Sequence, residues 1–164
     1  MTQENNRSLD QIYRSAVKGL YARLRSNYDF LYHKFGEEGL KLIEEMSREY
    51  GITVAERAKS QLKDNDLASV AEYLLRIFDT VARGQDMISV IEENPKKTII
   101  RVNRCPLNFT NPEMCRAHTA MERAVVEGLN PDLTYRIGEC IPEGNTFCDH
   151  IIELTKTSDR NVES

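Results

Sequence analysis

The sequence predicts an α+β fold, with an N-terminal helical segment packed on a four-stranded antiparallel sheet built in the order hairpin, helix, hairpin. Two observations carry this. Residues 8–84 place apolar side chains three and four apart, the period of a helix with one buried face. Residues 85–156 change to short β-branched runs separated by turn residues, with one helical stretch between them. Helices followed by strands imply an antiparallel sheet covered on one side by helices. No internal repeat, low-complexity segment or long linker divides the chain. The 164 residues are therefore expected to form one domain, with a helical half (1–84), a sheet half (85–156) and a disordered tail (157–164).

Each element has its own signal. Ser8-Leu9-Asp10-Gln11 is a capping box. Behind it Leu9, Ile12, Tyr13, Ala16, Val17, Leu20, Tyr21 and Leu24 define a helix that extends towards Gly36. A second helix is predicted over 37–50 with Gly51 as its stop, and a third over Val54 to Leu62. After the turn Lys63-Asp64-Asn65-Asp66, Asp66 caps a fourth helix carrying Leu67, Val70, Ala71, Leu74, Ile77, Phe78 and Val81, with Gly84 at its end. Strands follow at 86–92 and 97–103 around an Asn94-Pro95-Lys96-Lys97 turn. Asn111 and Pro112 open a fifth helix that ends at Gly128. Asn130-Pro131 breaks the chain before strands at 133–140 and 147–155, joined by Ile141-Pro142-Glu143-Gly144.

Composition limits function. With 40% hydrophobic and 29% charged residues, the chain is an ordinary globular protein. A net charge of −4 with interspersed signs argues against nucleic acid as a partner. No apolar run is long enough to span a membrane, and the first residues lack a signal-peptide core, so a cytoplasmic address is expected. Thiols are normally reduced there.

The four cysteines, Cys105, Cys115, Cys140 and Cys148, all fall in the sheet half and near element ends. Cys140 and Cys148 flank one hairpin turn. Cys105 and Cys115 flank the loop entering the fifth helix, whose N-terminus favours a thiolate at Cys115. If the hairpins share a sheet, the thiols could converge. Four thiolates are the complement of a zinc or iron–sulfur site. Buried inert thiols and redox pairs are the alternatives.

His118 lies one turn after Cys115, and Glu122 one turn further. They are either a base and its orienter or an exposed ion pair. His150 shares a strand face with Cys148, Ile152 and Leu154, whereas His33 reads as a surface residue. Arg101, Arg104 and Arg136 could each clamp a carboxylate or simply be solvated. No phosphate loop, dinucleotide fingerprint or nucleophile elbow is present.

The stretch Ile100 to Ile152 resembles the 4-vinyl reductase domain and the related L-2-amino-thiazoline-4-carboxylic acid hydrolase family. The matching pieces are Val102-Asn103-Arg104-Cys105-Pro106, the helical Cys115, and Glu139-Cys140 with Gly144 and Cys148. Phe35-Gly36-Glu37-Glu38-Gly39 and Tyr50-Gly51 look more like the hydrolase branch. The resemblance implies a small ligand-binding domain whose cysteines hold a metal. It also implies a hydrolase that opens a cyclic amidine-like thiazoline ring with water to an N-carbamoyl amino acid.

Together these readings give one expectation and one alternative. The first is a small-molecule domain holding zinc or a 4Fe–4S cluster on Cys105, Cys115, Cys140 and Cys148, with His118 and Glu122 as acid/base pair if it is an enzyme. The alternative is a non-enzymatic metal, redox or ligand sensor acting through a partner. The Tyr-rich first helix is buried either within the chain or across a homodimer through the helical half.

Overall fold

The computed structural model describes residues 7–82 and 87–155. The predicted Gly84 stop, residue 86 of the predicted first strand and the 157–164 tail lie outside these residues. The chain runs α1 (Leu9–Phe35), α2 (Glu37–Lys59), α3 (Leu67–Ala82), β1 (Ile88–Asn94), β2 (Lys97–Val102), α4 (Pro112–His118), α5 (Ala120–Leu129), β3 (Leu133–Ile137) and β4 (Cys148–Leu154). The predicted α+β class stands: a helical segment precedes an open four-stranded antiparallel sheet.

Local chemistry starts the elements where the sequence places them. The Ser8–Gln11 capping box forms in both directions. Asp66 accepts from the Ser69 amide at 2.8 Å, and Asn111 accepts from the amides of Glu113 and Met114. Asn94 closes the first hairpin by accepting from the Lys96 and Lys97 amides at 2.9 and 3.0 Å.

Two helix boundaries differ from the prediction, and both differences come from tertiary packing. The predicted second and third helices are one helix, α2, running straight through Gly51. Gly51 is buried, and a Cβ there would meet the Met121 carbonyl and sit 2.8 Å from the Ala124 Cβ. It is glycine because α5 crosses there, not because the helix stops. Gly128 is likewise inside α5, where a Cβ would lie 2.8 Å from that of Ala55 on α2. The predicted fifth helix is in turn two, α4 and α5. They are divided at Thr119, whose hydroxyl donates to the Arg116 carbonyl at 2.9 Å, a local bond that competes with the helical ladder.

The sheet order is β1-β2-β4-β3, so the two hairpins meet through antiparallel pairing of β2 with β4. In this register Ile100 faces His150 and Val102 faces Cys148. Thr98, Ile100 and Val102 alternate as the buried face of β2. One core packs this face against α2, α3 and α5, through Ala55, Ala58, Val70, Leu74, Val125, Val126, Leu129, Tyr135 and Ile152. A second joins α1, α2 and α4 to the loop after β2, through Tyr28, Leu40, Ile43, Leu107, Phe109 and Met114. Among the described residues no helix is long and apolar enough to cross a membrane.

Candidate functional site

A cavity of about 100 Å³ lies where these two cores meet. Tyr21 of α1 and the C-terminal turns of α3 (Ile77, Phe78, Val81, Ala82) form one wall. The start of β1 with Val102 of β2 and the Cys105–Phe109 loop form another. The α4–α5 junction supplies Cys115, His118, Thr119, Met121 and Glu122, while Ile137, Cys148 and His150 close the sheet side. Most of these groups are aliphatic, aromatic or sulfur-bearing. Half-buried Tyr21, Cys105 and Met121 lie among the lining residues.

His118 and Glu122 line this cavity together, though Thr119 breaks the helix between them. The reading of them as an exposed ion pair is wrong: Glu122 is 5% exposed, and no ion pair joins it to His118 among the described residues. The His118 Nδ1 shares a hydrogen bond with the Tyr28 hydroxyl at 3.1 Å, and that hydroxyl is 3.3 Å from the Ser47 Oγ. Phe109 meets the imidazole edge-on at 5.6 Å and stacks with Tyr28 at 6.0 Å. The ring is thus fixed by a hydrogen bond on one side and an aromatic on another.

Burial sets the protonation states. It lowers the His118 pKa to about 4 and raises that of Glu122 to about 7, because the charged form of each is disfavoured away from water. Tyr21 is pushed up to about 12, first by burial and then by Glu122. Oε2 of Glu122 has no hydrogen-bond partner among the described residues. Buried polar atoms of native proteins are nearly always paired, so an orphan in a cavity wall asks for a ligand or water. A carboxyl poised near neutrality in a cleft marks a functional candidate.

The expected metal site is not there. Among the described residues no group of three or more His, Cys, Asp or Glu side chains could hold a metal ion. This overturns zinc and the 4Fe–4S cluster on Cys105, Cys115, Cys140 and Cys148. All four are free thiols. The physical reason is burial, which outweighs the helix N-terminus at Cys115. Its pKa is raised, first by desolvation and then by Cys148, Cys140 and Cys105, so the thiolate that a metal needs is disfavoured. Desolvation also raises Cys140, and raises Cys148 to about 11. The Cys148 sulfur instead accepts from the Ile141 amide at 3.3 Å. Cys105, Cys115 and Cys148 contribute soft apolar wall to the cavity, and Cys140 is fully buried.

His150 points to the core side, as its shared face with Cys148 and Ile152 suggested. Its Nδ1 is 2.7 Å from the Tyr135 hydroxyl, its ring lies 4.5 Å from Phe78, and burial lowers its pKa to about 4. His33 is exposed. The arginines do not enter the cavity. Arg101 makes a two-pronged pair with Asp149 at 2.8 Å on the opposite face of the sheet and lies 3.5 Å over the Phe147 ring. Arg136 pairs with Glu153 at 3.0 Å, and Arg104 is exposed. Sequence reasoning missed the frame itself. Tyr21, Tyr28, Ser47, Phe78 and Phe109 come from α1, α2, α3 and a loop, and no spacing links them.

No family model matches the chain, and no curated protein does. Two of the solved structures that share the fold are the following. One is the crystal structure of the phenol-responsive sensory domain of the transcription activator PoxR with phenol. It is 14% identical, with a TM-score of 0.58 over 82% of this chain and 74% of that one. The other is trafficking protein particle complex subunit 3 from Naegleria fowleri, covalently bound to palmitic acid. It is 15% identical, with a TM-score of 0.61 over 85% of this chain and 97% of that one. At these identities the likeness is one of fold.

Proposed function

We propose that this chain is a ligand-sensing domain that binds one small, mainly apolar molecule in the cavity between α1, α3, the α4–α5 junction and the sheet. The cavity carries the reading, and the fold shared with a phenol-responsive sensory domain supports it. Size discriminates between the two neighbours' ligands. An apolar cavity of about 150 Å³ takes a single benzene. A space of about 100 Å³ is smaller still, so it limits the ligand to a single small ring at most and is several times too small for a long acyl chain. The domain would act in the cytoplasm, through a partner or a second copy. Leu9, Ile12 and Leu20 on α1 are exposed apolar residues available for such pairing.

Thermal unfolding with a panel of small aromatics tests this. A ligand at a hundredfold excess over Kd adds about 2.7 kcal/mol, or roughly 5–10 °C for a chain of this size. Val102→Phe, which fills the cavity from β2, should abolish the shift. A panel without any shift, or shifts that survive Val102→Phe, would remove the cavity from the argument.

Glu122 favours a second reading, hydrolysis of a cyclic amidine-like thiazoline carboxylate, with His118 beside it. A carboxyl near pKa 7 suits general acid–base work. Incubation with the thiazoline carboxylate and detection of the N-carbamoyl product checks it. An unchanged rate in Glu122→Gln would dismiss the pair.

A further inference from the structure

We infer that the ligand of this cavity carries a hydrogen-bond-donating cationic head, and that the class it fits is a small arylalkyl primary amine whose ammonium group faces Glu122. This rests on the proposed ligand-binding role and specifies the chemistry of its occupant.

The argument starts from one atom. The Glu122 side chain lines the cavity, and its Oε2 is buried without a partner among the described residues. An unpaired buried carboxyl oxygen costs stability that a donor brought by a ligand would recover. A neutral hydroxyl offers one proton. A primary ammonium offers three, together with the opposite charge, and charge-assisted bonds are roughly twice as strong as neutral ones. The neighbouring polar atoms suit the remaining protons. Thr119 uses its hydroxyl hydrogen on the Arg116 carbonyl, which leaves its oxygen lone pairs free to accept. The walls on the other sides, Phe78, Phe109, Ile77 and Val102, match an aromatic body. A carboxylate ligand would instead place its charge beside Glu122.

The groups that face Glu122 hold their charge states while it titrates. Tyr21 and Tyr28 of α1 and Tyr135 of β3 are raised, Cys115 of α4 is raised, and His118 of α4 and His150 of β4 are both lowered to about 4. Between pH 6 and 8 the carboxyl, at about 7, is the member of this set that changes charge. An amine bound as a cation needs it ionised, so affinity rises with pH across that window by roughly tenfold.

The test is calorimetric titration of the full chain with four probes of one shape: toluene, benzyl alcohol, benzylamine and benzoate. At pH 8 benzylamine should bind at least tenfold more tightly than benzyl alcohol, and benzoate least. The preference should shrink about tenfold at pH 6. Glu122→Gln should erase it, bringing benzylamine down to the affinity of benzyl alcohol. In the wild type at pH 7, titration in buffers of different ionisation enthalpy should show proton release with benzylamine and none with benzyl alcohol, which keeps the test decisive if the variant folds poorly. Benzyl alcohol equal to benzylamine, or a preference that survives Glu122→Gln, overturns the amine and leaves the cavity reading standing. Failure of all four probes overturns both.

Discussion

Two regions of this molecule are built on opposite rules. Where α2 crosses α5, space has been removed: Gly51 and Gly128 let the helices touch, and Val125, Val126 and Ile152 seal them to the sheet. Where α1, α3 and the α4–α5 junction approach the sheet, space has been left, with a half-buried histidine, a buried histidine and a buried carboxyl around it. The first region gains stability from close packing. The second gives some up, since burial pushes Glu122 and His118 away from their charged forms. The contrast teaches that stability and binding are assigned to different helix contacts, and substitutions in each should differ in sign as well as size.

The largest effect should come from the packed crossing. Gly51→Ala sets a methyl against the Met121 carbonyl and 2.8 Å from the Ala124 Cβ, and a backbone carbonyl has no rotamer in which to retreat. We expect a loss of about 3 kcal/mol, towards the upper end of overpacking costs, seen as a fall in Tm of about 10 °C. A change of under 1 kcal/mol would mean that the helices are free to slide apart.

Next in size, and opposite in sign, is Glu122→Gln. The carboxyl is raised from 4.5 to about 7, so its favourable contribution is complete below about pH 4.5 and is lost as pH rises through about 7. A neutral amide keeps that contribution. The variant should therefore match the wild type near pH 4.5 and exceed it by about 3 kcal/mol at pH 8. His118 and His150, lowered from 6.5 to about 4, work the other way. They lose stability as pH falls through the window from 6.5 to 4, equally in both proteins, so the difference curve isolates Glu122. Denaturant unfolding at a series of pH values reads it directly. A pH-independent difference would place Glu122 in water.

A smaller loss should follow Tyr28→Phe. It removes the hydroxyl between the Ser47 Oγ and the His118 Nδ1 and keeps the ring stacked on Phe109. We expect about 1–2 kcal/mol, the cost of leaving buried partners unpaired. The His118 titration seen by NMR should also shift, which a purely packing role for Tyr28 would not produce.

Local chemistry was legible in the sequence; tertiary chemistry was not. Ser8, Asp66, Asn94 and Asn111 act on amides two or three residues away, so their roles were readable and the elements start where they should. The order of helices and strands gave the fold class for the same reason. Gly51 misled, because a glycine that admits another helix looks in sequence like one that ends its own, whereas Gly128 lies one residue before the end of α5 and marked that end correctly. The cysteines misled in a related way. Their placement near element ends suggested a shared thiolate site, but among the described residues no three ligand side chains come together to hold a metal, and desolvation, a property of the folded surroundings, raises Cys115, Cys140 and Cys148. His118 and Glu122 were visible as a spacing, yet their meaning depends on a cavity whose walls come from seven separate segments.

The smallest expected effect tests the edge of the second region. In the first half of α1, Tyr13 donates to the Thr80 carbonyl at 2.8 Å and Tyr21 reaches the cavity, whereas Leu9, Ile12 and Leu20 are exposed. Gly19 sits on this helix with nothing within 4 Å of where a Cβ would be. Gly19→Ala should therefore do the reverse of Gly51→Ala: it restores helix propensity in an open position and should add up to about 1 kcal/mol. The sign depends on the surface staying open. If two copies pair through α1, alanine at a close crossing would weaken the pair, and light scattering would show mass falling with dilution sooner than in the wild type. A gain in Tm with unchanged mass marks a free face, whereas a loss of mass moves Gly19 into the class of Gly51, a glycine kept for a neighbouring helix.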